Sequence, residues 1–167
     1  MFARQGRMVD GKWVMSQQGA GGKESIVMPS FDLSAEEAKY RKDLGALRLG
    51  LMALHKTLID SEKAAYEETF GEVTSPNQFL QLLIADPWFA WLHPISELVV
   101  AIDELLEGKE RITGINSGII VKQTKGLLVA SEEGQGFARS YYEALQREPD
   151  VVMAHAEVGK VLKEFRA

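Results

Sequence analysis

With 167 residues, 46% of them apolar and 26% charged, the chain has the size and balance of a folded globule rather than of a disordered segment. Its 19 basic and 24 acidic residues leave a net charge of −5, which argues against an electrostatic grip on nucleic acid; no stretch reaches the roughly 18 uninterrupted apolar residues of a membrane span. Cysteine is absent, which removes disulfides, thiolate nucleophiles, cysteine zinc sites and iron–sulfur clusters.

Residues 1–32 read as an extension. The opening MFARQGRMVDGKWVM lacks the continuous apolar core of a secretory signal, so a cytoplasmic protein is expected. Asp10-Gly11 lies between Met8-Val9 and Trp13-Val14, a two-residue hairpin signal, because both turn positions need positive φ. The following MSQQGAGGKES is of linker type, with few side chains able to pack. The extension is therefore expected to be a poorly packed arm carrying at most a small hairpin.

Residues 33–167 read as a helical bundle domain. Ser34 and Glu37 form the grammar of a capping box. Leu44, Leu47, Leu51, Leu54 and Leu58 then recur at spacings of three and four, one stripe on a helix that Gly71 should stop after Phe70. Such a helix is on the order of 50 Å long. Ser75-Pro76-Asn77-Gln78 starts a short helix over about 76–85, with proline at its first position.

After Asp86-Pro87 the apolar rhythm runs from Trp88 through Ile95 and Ile102 to Leu105, crossing Pro94. It predicts one helix kinked at Pro94, ended by Gly108. Residues 109–132 can be drawn as a hairpin, but Ile112, Ile115 and Ile119 have helical spacing, and a helix is preferred despite its glycines. FARSYYEALQRE is helical, with Phe137, Tyr141 and Leu145 on one face. Pro149 restarts the chain, and Val151, His155, Val158, Leu162 and Phe165 form the last stripe. The expected fold class is all-α: a bundle of four main helices with one or two short ones.

The three histidines are the starting points for chemistry. His93 and Glu97 are four apart and can share a helical face, although Pro94 lies between them. His55 and His155 fall on or beside apolar stripes. With His93 and Glu97 they are the candidate ligands of a metal or small molecule inside the bundle. The di-iron signature, Glu-x-x-His on two helices, is absent, because Met52, Ala90 and Val152 stand three residues before the histidines. A transition metal is the one cofactor these residues suggest, and none is assigned.

No Gly-x-Ser-x-Gly surrounds a serine, and Gly19, Gly21 and Gly22 follow no credible strand, so neither a nucleophile elbow nor a phosphate loop is read. Asp86 reads as a helix cap. The carbonyl of Ala90, if released by Pro94, could orient an apolar ligand beneath the kink. No catalytic residue emerges, and the chain reads more as a binding protein than as an enzyme.

Phe79, Trp88, Phe89 and Trp91 crowd aromatic surface around more than one helix face, which suggests a partner. The expectation is a non-catalytic interaction protein, homodimeric through this region, with neither nucleic acid nor membrane as partner. The alternative is a metal- or small-molecule-binding bundle using His55, His93, Glu97 and His155. The segments LHKTLIDSEKAAYEETFG, SPNQFLQLLIADPWFAWLHPISELVVAIDE and GFARSYYEALQREPDVVMAHAEV resemble an uncharacterised family of small all-helical bacterial cytoplasmic proteins. The resemblance covers about residues 44 to 165 and implies an all-α fold in a bacterial cytoplasm. It carries over no activity and no site residue.

Overall fold

The computed structural model describes residues 6–16, 25–27 and 33–165. The chain divides into two compact units, Met1–Glu37 and Ala38–Ala167. In the first, β1 (Gly6–Val9) and β2 (Lys12–Ser16) pair antiparallel, with Val9 opposite Lys12 and Gly6 opposite Met15. Asp10 and Gly11 make the turn at φ of 49° and 74°, the left-handed region that this dipeptide tolerates. A third strand, β3 (Ser25–Val27), which the sequence did not suggest, pairs antiparallel with β2. Residues 17–24, the heart of the linker-type stretch with Gly19, Gly21 and Gly22, lie outside the described residues.

The second unit is all-α. Helix α1 (Leu33–Phe70) runs through 38 residues and begins one position before Ser34. Its five-leucine stripe is fully buried at every position, the spine of the core. The helix stops where Gly71 turns to a φ of 99° while its N–H still reaches the Glu67 carbonyl at 2.9 Å, a conformation that a Cβ would strain. Helix α2 (Pro76–Ala85) starts as its sequence dictates: the Ser75 hydroxyl accepts the Gln78 N–H at 3.3 Å, and Pro76 has no N–H to satisfy.

The single kinked helix expected around Pro94 does not form. The chain instead makes a tight turn at residues 86–89, one 3-10 turn at Ala90–Leu92, and then helix α3 (His93–Glu107) with Pro94 in its first turn. There the missing N–H has no intrahelical acceptor to lose, so the proline starts a helix at little cost rather than bending one. Asp86 holds the turn, its Oδ1 accepting the Trp88 N–H at 2.8 Å. The Ala90 carbonyl is not released either, because it accepts the His93 N–H. The ligand site expected beneath a kink therefore lacks its polar group.

Helix α4 (Gly114–Leu127) settles residues 109–132 in favour of a helix. Thr113 Oγ1 accepts the Asn116 N–H, and Asn116 Oδ1 accepts the Thr113 N–H at 2.7 Å, a reciprocal cap that offsets the glycines. The isoleucine stripe is not its core face. Ile115 is 79% exposed and Ile119 53%, whereas Ser117, Ile120, Val121 and Thr124 face inward. Helices α5 (Phe137–Arg147) and α6 (Pro149–Glu164) follow, α6 packing on α5 and α4 on α3. Val158 of α6 comes so close to α1 that a Cβ on Gly50 would stand 3.3 Å from its Cγ2. Polar ties cross the bundle: Arg48 of α1 pairs with Asp103 of α3, Arg41 of α1 donates to the Leu106 carbonyl of α3 at 2.9 Å, and Arg147 of α5 reaches Glu62 and Ser61 of α1 at 2.9 Å. Among the described residues no helix is long and apolar enough to cross a membrane.

Candidate binding cleft and apolar surface

The four proposed ligands divide between places. His155, half-buried on α6, has its Nδ1 2.6 Å from the Tyr141 hydroxyl. Burial pushes the tyrosine well above its usual pKa, so the phenol keeps its proton, and the two groups share one hydrogen bond whose direction follows the imidazole tautomer. That nitrogen is thereby engaged in holding α5 against α6. Glu97 is exposed on α3. Only His55 and His93 share a cavity. Among the described residues no group of three or more histidine, aspartate or glutamate side chains is placed to hold a metal ion.

The cavity is a cleft of about 320 Å³ between α1, α2 and the start of α3. Its polar members are His55, His93 and Ser96. Its walls are hydrocarbon: Ile59 of α1, Leu83 and Ile84 of α2, and Phe89 and Leu92 from the turn that the sequence had merged into a helix. His55 is half-buried, and burial lowers its pKa; the neighbouring His93 lowers it further, since two imidazolium charges would repel. His93 donates Nε2–H to the Leu83 carbonyl at 3.0 Å, which fixes its tautomer in the neutral ring. Ser96 donates its hydroxyl to the His93 carbonyl at 2.8 Å. No spacing rule would have joined His55 to His93, because they come together only through the fold.

A larger furrow of about 500 Å³ lies between α3 and α4, floored by Ala101, Leu105 and Ile120. Its acidic members, Glu104 and Glu110, are exposed, and no histidine or buried carboxylate is part of its lining.

The four aromatic candidates also fare differently. Phe89 is 1% exposed and belongs to the core. Trp88 lies edge-on against Tyr66 and Phe70, with ring centroids at 5.9 and 5.7 Å. Its Nε1 is buried without a hydrogen-bond partner among the described residues. Trp91 packs on Phe137 at 5.4 Å, and Phe79 on Phe89 at 5.9 Å, with the Lys63 ammonium 5.1 Å from the Phe79 ring. These rings spend much of their surface inside the chain.

The open apolar surface stands beside them on α2. None of its ten residues is buried, although six of them are apolar side chains, and Leu80 and Ile84, four apart on one face, are 53% and 67% exposed. The sequence carries this signal in QFLQLLIA, an apolar run of helical length without a charge. No protein-family model matches this chain, and no curated protein or solved structure matches it either.

Proposed function

We propose that this is a non-catalytic interaction protein that self-associates through the outer face of α2. The observation that carries the reading is an uncharged, apolar helix without one buried residue, in a chain of which 26% is charged. A helix with no charge can meet its own copy about a two-fold axis without like-charge repulsion, which makes a second copy the natural partner. Leu80 and Ile84 would form the centre of that contact, and the half-buried Phe79, Trp88 and Trp91 its neighbourhood. A chain without cysteine needs no oxidising compartment, which fits a bacterial cytoplasmic setting.

Sedimentation velocity tests the reading. The wild-type chain should run at twice the monomer mass at roughly 100 µM, well above a dissociation constant of about 1 µM. Leu80→Glu should return it to the monomer with its helical circular dichroism intact, since Leu80 already faces solvent. A wild-type chain that stays monomeric at that concentration, or a variant that still dimerises, ends the proposal.

A further inference from the structure

The cleft beside α2 has hydrogen-bonding capacity that its own side chains do not use. His93 commits its Nε2–H to the Leu83 carbonyl. A carbonyl only accepts, so the neutral ring is left with a lone pair at Nδ1. Ser96 commits its hydroxyl proton to the His93 carbonyl, so its oxygen is left with lone pairs. His55 makes no hydrogen bond to the described residues, and its neutral ring offers one N–H and one lone pair. The remaining lining is aliphatic or aromatic, and no Asp, Glu, Lys or Arg is among it.

This inventory, two acceptors and one ring able to donate, is the complement of a hydroxyl group. The hydroxyl proton can go to a lone pair of His93 or Ser96 while its oxygen accepts from His55. A carboxylate would need more donors than two neutral imidazoles and a committed serine provide, and an ammonium would find no countercharge. The size agrees. An engineered apolar cavity of about 150 Å³ holds benzene, so a half-open cleft of about 320 Å³ has room for one ring with a short substituent. We propose that the cleft binds a small apolar hydroxylic molecule of the one-ring phenol class, held by His55, His93 and Ser96 against the walls of α2 and the Phe89–Leu92 turn.

The inference does not rest on self-association. Ile84 belongs both to the cleft wall and to the proposed contact, but Leu80 does not line the cleft, so the monomeric Leu80→Glu chain should still bind para-cresol in preference to toluene, and the two readings can fail separately.

Titration of the full chain with para-cresol, toluene and benzoate, followed by calorimetry and by the histidine ring resonances, tests the proposal. At neutral pH para-cresol should bind saturably and move the His55 and His93 signals. It should bind about fivefold tighter than toluene, the effect of one net hydrogen bond. His55→Phe should remove that preference while leaving toluene binding unchanged. Ser96→Ala supplies the same comparison should the first variant fail to fold. Among the lining residues, His93 on α3 is the one titratable group that faces His55, and α2 and the turn contribute none. Acidification through the histidine range should therefore weaken para-cresol binding, as protonation removes the lone pairs. No saturable binding of para-cresol, or equal affinity for para-cresol and toluene, would overturn the proposal. So would tighter binding of benzoate that strengthens on acidification, which would mark an anion site instead.

Discussion

At the scale of single residues, this bundle gives its histidines unlike environments. His55 sits half-buried in an apolar cleft, where burial first and His93 second hold its pKa below the ordinary value of 6.5. The unfolded chain then takes up the proton before the native one as pH falls. The stability this neutral histidine contributes is complete above pH 6.5, declines as pH falls from there toward the depressed native pKa, and levels off below it. Urea titrations across that window should give a steeper pH dependence for the wild type than for His55→Gln. Parallel curves would mean that His55 titrates alike in both states. His155 is instead locked by the Tyr141 hydroxyl. Tyr141→Phe should cost about 1 kcal/mol by chemical denaturation, the net worth of one hydrogen bond, and should shift the His155 ring signals. An unchanged midpoint would assign that contact no role in stability.

At the scale of elements, caps and prolines decided more than periodicity did. The rhythm across Pro94 was continuous, yet the chain turns there, because Asp86 offers a carboxylate to the Trp88 N–H and Pro94 is favourable only in a first turn. The element after it shows the same logic. Three glycines within Gly114–Leu127 weaken the helix, and the Thr113–Asn116 reciprocal cap satisfies two of the donors at its start. Thr113→Ala should therefore destabilise the chain by about 1 kcal/mol, read from the shift of the urea midpoint. Thr113→Ser, which keeps the hydroxyl, should recover most of it. The cap is written in ITGIN, with asparagine where the usual grammar has Glu or Gln.

At the scale of the whole molecule, the core is closed while the apolar outer face of α2 stands open. The buried cluster draws on α1, α3, α4, α5 and α6 and on the turn at Phe89 and Leu92, while α2 only leans against it. If α2 completes itself against a second copy, folding is linked to association, and the melting temperature must rise with protein concentration. Calorimetric scans of the wild type over a hundredfold range of concentration should show that rise, and Leu80→Glu should melt at one temperature throughout. A concentration-independent wild-type transition would detach α2 from any role in assembly.

The sequence by itself determined the all-α class, the α1 spine and the start of α2. Five leucines on one stripe and a Ser-Pro start are local signals that no tertiary contact needed to complete. Which face of α4 turns inward was decided only by packing. Ile115 and Ile119 have as good a helical spacing as the buried Ile120 and Val121, and period alone does not say which side meets α3. The cleft belongs wholly to the tertiary level. His55 and His93 are separated by most of α1's second half, α2 and a turn, and they meet because the turn at residues 86–92 brings the start of α3 beside α1. Local propensity fixes where helices begin and which residues are apolar; a binding site is made by the contacts that close over long loops of chain, and these appear only once the helices pack.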